Sequence, residues 1–150
     1  MKIGKLPEPV LIRSVLKQVK HRRGEVLVGP AVGQDCAAVC VGPDESIVMS
    51  SDPITGTTKD IGSLSVYITT NDLAAAGAEP IGLMITILLP EHVEEAELKK
   101  MMADIEATCA KLNIDVLGGH TEVTNVVSQP LISVTGVAKM KTSQVATLKD

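Results

Sequence analysis

Three aspartates carry the clearest chemical hint in this 150-residue sequence. Asp35 follows the Gly33 turn, Asp52 closes a strand-like run in SSDP, and Asp72 falls inside a helix-like run. Carboxylates at strand ends and loop edges suit a hard cation such as Mg²⁺, which prefers oxygen ligands and keeps water and substrate phosphate oxygens in its shell. Asp also favours turns through local hydrogen bonds, and that preference accounts for Asp35 and Asp52 equally well. With Ile61 as origin and about 100° per residue, Leu64, Ile68 and Ala75 cluster in a narrow arc that contains Asp72. A carboxylate in a buried stripe needs a cation, a metal or several donors. Either Asp72 holds such a ligand or it bonds backbone groups at an element end, and periodicity does not choose. Asn71 stands beside it, placed to orient it or share its ligand.

The second informative segment is LGGHTEVT, residues 117–124. Gly118 and Gly119 let backbone approach a ligand closely, and His120, Thr121 and Glu122 then project from the expected strand end. His120 reads as a metal ligand or proton carrier, with Glu122 beside it, or else as a surface-loop histidine. No Walker A loop, G-x-S-x-G, H-E-x-x-H or G-x-G-x-x-G occurs, so P-loop NTPases, serine hydrolases, zincins and dinucleotide folds lose support. Cys36, Cys40 and Cys109 form no C-x-x-C pair and read as buried, reduced packing residues.

Positioning these groups requires a scaffold. Apolar spacing predicts a helix over 9–23 whose basic end, Lys20 to Arg23, complements the helix dipole or binds phosphate. Strands at 37–41 and 46–51 read as a hairpin across Gly42-Pro43-Asp44. A helix from the N-cap Asp60 to Ala76, a strand at 81–89, an amphipathic helix at 94–112 and strands at 114–117 and 131–138 complete the order. The fold class is α+β (mixed α/β), a single sheet of about four strands with helices packed on one face. A net charge of −4 excludes the broad positive field of non-specific nucleic-acid binding. One Tyr and no Phe or Trp leave little surface for stacking bases. No apolar run reaches the roughly 18 residues of a membrane span, and MKIGKLPEPV lacks a secretory apolar stretch, so a cytoplasmic protein is expected.

Four segments, taken in order, resemble the aminoimidazole ribonucleotide (AIR) synthase superfamily. GQDCAAV (33–39) is similar to the family's G-D-D-A-A-V, and SSDP (50–53) to its S/T-T-D strand end. DIGSLSVYITTNDLAAAGAEP (60–80) resembles its most characteristic helix. GGHTEV (118–123) stands where the family has G-G-D-T or G-G-E-T. Gln34 replaces the first acid of the paired aspartates, and His120 replaces the acid after the double glycine. The resemblance implies an ATP site in which Asp35, Asp52 and Asp72 hold Mg²⁺, with Asn71, Gly118, Gly119 and Thr121 near the nucleotide and His120 and Glu122 as catalytic candidates. It also implies a homodimer whose sheets join into a barrel. Residues 1–140 would form the ATP-binding domain, and 141–150 would begin a linker to a second domain that meets the acceptor or a partner protein. GGHTEVT points to the HypE-like branch. The expected chemistry is phosphorylation of an amide, carbonyl or phosphate oxygen with release of ADP; the alternative is a non-catalytic module for dimerisation and nucleotide sensing.

Overall fold

The computed structural model describes residues 2–34, 36–55 and 59–145. Strands β1 (Gly4–Lys5), β4 (Glu45–Ile54), β5 (Glu79–Leu89), β6 (Asp115–Val123) and β7 (Leu131–Lys141) form one sheet in the order β1-β6-β5-β7-β4. The short strands β2 (Val26–Val28) and β3 (Ala38–Val39) pair separately. A three-residue turn, α1 (Glu8–Val10), precedes the two long helices, α2 (Ile61–Ala75) and α3 (Glu95–Leu112). The expected α+β class holds, with a five-stranded sheet where about four strands were expected, because β1 adds to the free edge of β6.

Strand β5 is a nearly continuous apolar run and lies at the centre, parallel to β6 and antiparallel to β7. Helix α3 is the crossover that a parallel β5–β6 pair requires. Leu83, Ile85, Ile87 and Leu89 of β5 pack with Ile132 and Val134 of β7 beneath Val66 of α2 and Leu98, Met102 and Ile105 of α3. Strand β4 runs antiparallel to β7 from Glu45↔Lys141 to Ile54↔Ile132. The expected hairpin between the third and fourth strands therefore does not form: β3 pairs with β2, and β4 takes a partner far along the chain. Turn chemistry signals a reversal, but a long, well-matched neighbour won the pairing.

Helix α2 buries a different face from the one its apolar spacing predicts. Gly62, Ser65, Val66, Thr69, Thr70 and Leu73 point inward, whereas Leu64 and Asp72 are exposed. The inward hydroxyls of Ser65 and Thr70 donate to their own helix, to Gly62 O at 2.7 Å and Val66 O at 2.8 Å, so burying them leaves those groups satisfied. Small residues also let the helix lie close on the sheet at Gly136, where even a Cβ would come within 2.8 Å of Leu73 and Thr69. Asp60 adopts φ 58° and makes no side-chain cap, contrary to its expected role. Helix α3 buries Leu98, Met101, Met102, Ile105 and Cys109 of its apolar stripe, leaves Leu112 at the stripe's end exposed, and starts with a capping box in which Glu97 accepts the Glu94 N–H at 2.9 Å.

The predicted first helix is broken. Its α-turn passes at Leu11–Val15 into a π-turn and at Leu16–Gln18 into a 3₁₀ turn, then ends. Of the basic residues beyond it, Arg22 and Arg23 meet carboxylates with their side chains, and Lys20, His21 and Arg23 do so with their backbone N–H groups. Glu106 accepts the N–H groups of Lys20 and His21 at 3.1 and 2.6 Å. The fully buried Asp115 accepts Arg22 Nη1 at 3.0 Å and Arg23 N–H at 3.2 Å. Nearer the start, Glu95 takes Arg13 Nη2 at 2.7 Å and the Ser14 hydroxyl at 2.6 Å. Residues 8–23 thus form a strap stitched across α3 and β6.

Arg13, and then Ser14, hold the Glu95 carboxyl down to about 2. A depressed carboxyl contributes above its unfolded value near 4.5 and loses that contribution as pH falls towards 2. Carboxyl-carbon NMR should therefore find Glu95 titrating near pH 2 in the wild type and returning towards the ordinary range in Arg13→Ala. An ordinary midpoint in both proteins would show the stitch to be absent in solution.

Of the cysteines, only Cys109 is buried; Cys36 and Cys40 are exposed, against expectation. Burial, with Glu106 and Asp115 nearby, pushes the Cys109 thiol up to about 12, which leaves it unreactive. No helix among the described residues is long and apolar enough to cross a membrane.

Candidate functional site

Alternation along β4 puts Ser50, Asp52 and Ile54 on the face that α2 covers. Ile54 is buried, while Asp52 is half-buried near the open end of the strand. The Ser50 hydroxyl lies 3.3 Å from Asp52 Oδ2 and 3.3 Å from Asp72 Oδ2, so one side chain from α2 and two from β4 meet. Asp72 reaches this point from the exposed flank of its helix and not from a buried stripe. Asn71, one residue earlier, is exposed. Two carboxylates gathered on one hydroxyl repel each other, and a divalent cation between them offsets that repulsion. Their all-oxygen donor set fits Mg²⁺, which commonly takes one or two carboxylates and completes its shell with water and phosphate. Asp35 lies outside the described residues. Among those described, no three His, Cys, Asp or Glu side chains come together as a metal cluster.

Ser50 escaped the sequence reading although a signal was present: it stands two residues before Asp52, and positions i and i+2 of a strand share a face.

The LGGHTEVT segment is not a strand end followed by a loop. All of it but Thr124 lies within β6, which continues to Val123. A bulge interrupts its pairing with β5 between Leu83↔Val116 and Met84↔Gly118, and Gly119 follows with φ +147°. His120 Nε2 sits 2.8 Å from Glu122 Oε2, with both side chains partly exposed on the face that carries Thr86 and Leu88. Thr121 points the other way and is 7% exposed.

On that other face a cavity of about 170 Å³ opens beside β6. Leu11, Val15 and Leu16 of the strap line one side, and Ile85, Ile87 and Val116 of the sheet line the other. Gly118, Gly119, His120 and Thr121 border it together with Gly33 and Gln34. Gly33 turns with φ +73°, and Gln34 Nε2 donates to Cys36 O at 2.8 Å. Two of the motif segments, distant in sequence, therefore meet at this cavity.

The acids and the cavity stand in one row across the sheet: Asp52 pairs with Val134, Val134 with Ile85, and Ile85 with Gly119. Three strand spacings of about 4.8 Å put the ends of that row roughly 14 Å apart. Asp52 and Asp72 converge on Ser50; Gly118, Gly119 and Thr121 gather at the opposite end of the row.

Fold and site together define a class: an α+β domain with two carboxylates meeting at one end of a sheet row and a glycine-bordered cavity at the other. The chain belongs to the AIR synthase related protein family through its N-terminal domain, whose family model matches residues 33–140. It is 30% identical over 139 residues to a Methanocaldococcus jannaschii protein provisionally named for hydrogenase expression/formation, an alignment spanning 89% of this chain and 41% of that protein. Over 96 residues it is 33% identical to the carbamoyl dehydratase HypE of Cupriavidus necator, covering 61% of this chain and 27% of that one. Its fold is similar to a crystal structure of the hydrogenase maturation protein HypE in complex with ATP, with a TM-score of 0.73 and 21% identity over 96% of this chain and 43% of the other. The chain thus spans less than half the length of these relatives.

Proposed function

We propose that this domain binds ATP with Mg²⁺ held by Asp52 and Asp72, as part of an enzyme that moves a phosphoryl group from ATP to an acceptor oxygen, releasing ADP. The observation that carries the reading is the meeting of Asp52 and Asp72 on Ser50, at one end of the row that ends in the Gly118–Gly119 cavity. The family match and the ATP-bound structural relative support it. Bound there, Mg²⁺ would supply charge neutralisation for the phosphates. Asp35 is proposed as a third ligand, and Asn71, Gly118, Gly119 and Thr121 as nucleotide contacts. His120 and Glu122, 2.8 Å apart on the opposite face of β6, are proposed as catalytic candidates. Because one relative is a carbamoyl dehydratase, the acceptor class favoured here is a carboxamide oxygen. The acceptor, or a partner protein presenting it, is assigned to a further domain, with residues 141–150 as the linker.

A homodimer belongs to the same reading. The sheet face opposite the helices exposes Ile47 (44%) and Met49 (62%) and carries no helix among the described residues. Apolar residues grouped on an open sheet face mark an association surface, and joining two such sheets into a barrel would set each site beside the other copy.

Isothermal titration of ATP with and without Mg²⁺ tests the assignment. Wild type should bind more tightly with Mg²⁺, and Asp72→Ala should lose that gain by roughly tenfold or more, in line with losses at metal sites. Equal Mg²⁺-dependent binding by the two proteins would defeat the cation site.

A further inference from the structure

The strap is fastened firmly at its two ends and weakly in its middle. At one end β1 pairs with β6, and Leu6 beside it is buried. At the other, both oxygens of the fully buried Asp115 are engaged, by Arg22 and by the Arg23 N–H, and the Arg23 side chain donates to Glu25, Glu79 and two carbonyls. In between, the polar fastenings among the described residues are two carboxylates of α3. Glu95 holds Arg13 and the Ser14 hydroxyl, but the Arg13 and Glu95 side chains are 52% and 35% exposed, where water competes and an ion pair contributes little. Glu106 takes the Lys20 and His21 N–H groups on Oε1 alone. Its Oε2 is buried without a partner among the described residues, a cost of the closed strap that water relieves once the strap lifts.

The middle is not a regular helix either. Three residues of α-turn, five of π-turn and three of 3₁₀ turn follow one another, so no continuous ladder stiffens it. Beneath it lies a void in place of core. Leu11, Val15 and Leu16 are only partly buried, and they border the cavity of about 170 Å³ across from Ile85, Ile87 and Val116. Lifting them forfeits less apolar contact than lifting a packed segment, and segments of that kind open locally at far less cost than global unfolding.

We infer that residues 8–21 form a gate: tethered at β1 and at Arg22–Arg23, the middle of the strap lifts from α3 as one unit, with Arg13, Ser14 and Glu95 as its clasp, and uncovers the cavity wall at Ile85, Ile87 and Val116. The gate makes no use of the cation site, so it stands or falls apart from the nucleotide reading.

Hydrogen exchange followed by NMR at several urea concentrations reads the lifting. The amides of Leu11, Leu16, Lys20 and His21 are all hydrogen-bonded. After correction for intrinsic rates they should exchange at least about 100-fold faster than those of Ile85 and Ile87 in β5, with little dependence on urea. Glu95→Ala, which removes the clasp, should speed the strap amides a further five- to twentyfold or about that. Lys100→Ala, which removes an exposed ion pair elsewhere on α3, should leave them unchanged. Access to the cavity is read with Val116→Cys, a near-isosteric change at a residue 4% exposed, in a background carrying Cys36→Ser and Cys40→Ser at the exposed cysteines. A thiol reagent should label position 116 at a rate set by lifting, faster by the same factor when Glu95→Ala is added. Strap amides that exchange as slowly as Ile85 and Ile87, with the same urea dependence, overturn the gate. Labelling at position 116 that is indifferent to Glu95→Ala overturns it equally.

Discussion

Gly119→Ala is expected to cost about 3 kcal/mol or more, whereas the neighbouring Gly118→Ala should cost less than about 1 kcal/mol. A Cβ built on Gly119 falls 1.8 Å from Ile85 O and 2.6 Å from Ile85 C, both backbone atoms of the central strand. Its φ of +147° is also a conformation that side chains rarely adopt. Neither strand can yield cheaply, since β5 is paired on both sides. At Gly118 the new carbon meets only Met84 Cε and Sδ at 3.4 Å, the far end of a flexible side chain that can turn aside. Chemical denaturation of the two variants checks the contrast. Equal losses would mean that the strand after the bulge relaxes at Gly119, and with it the position of Thr121 at the cavity.

The second large effect is expected at Arg23. Its side chain is 7% exposed and donates to Glu25, to Glu79, and to the carbonyls of Pro80 and Asn113. One guanidinium therefore joins the residue before β2, the start of β5 and the C-terminal cap of α3. Arg23, and then Lys139, hold the Glu25 carboxyl well below the usual carboxylate range. Arg23→Met keeps most of the volume and removes every donor. The two carbonyls lose their partner, and Glu25 keeps only Lys139, at 2.8 Å. Breaking a largely buried ion pair from one side costs about 3 kcal/mol, which for a domain of this size lowers the melting temperature by roughly 6–12 °C. A calorimetric shift of less than about 2 °C would show the network to be replaceable by water.

Much of this arrangement was legible before any fold was known. The stripe Leu98, Met101, Met102, Ile105 and Cys109 gave helix α3 its buried face, and the apolar run through Ile81 and Leu89 marked the central strand, because both signals are local and periodic. The inward face of α2 was not legible in this way. Its buried Ser65 and Thr70 look polar until their hydroxyls are seen bonding back to their own helix, so hydropathy pointed to the wrong flank and put Asp72 inside. The partner of β4 was hidden for another reason: alternation says which residues share a face, while pairing depends on strands some 85 positions away. Lys20 to Arg23 read as a helix end because Glu106 and Asp115, their real counterparts, are distant in the chain.

By itself, then, the sequence determined the class of domain and the order of its two long helices and the strands around them, without the short strands β1 and β2. Tertiary structure alone decided that Asp52 and Asp72 meet on Ser50, that Gly33 and Gly119 border one cavity, and that these two places lie at opposite ends of a single row of paired residues. The physical reason is range: side-chain periodicity and turn preference act over a few residues, whereas a cation pair or a cavity is made by groups that only strand register and helix packing bring together.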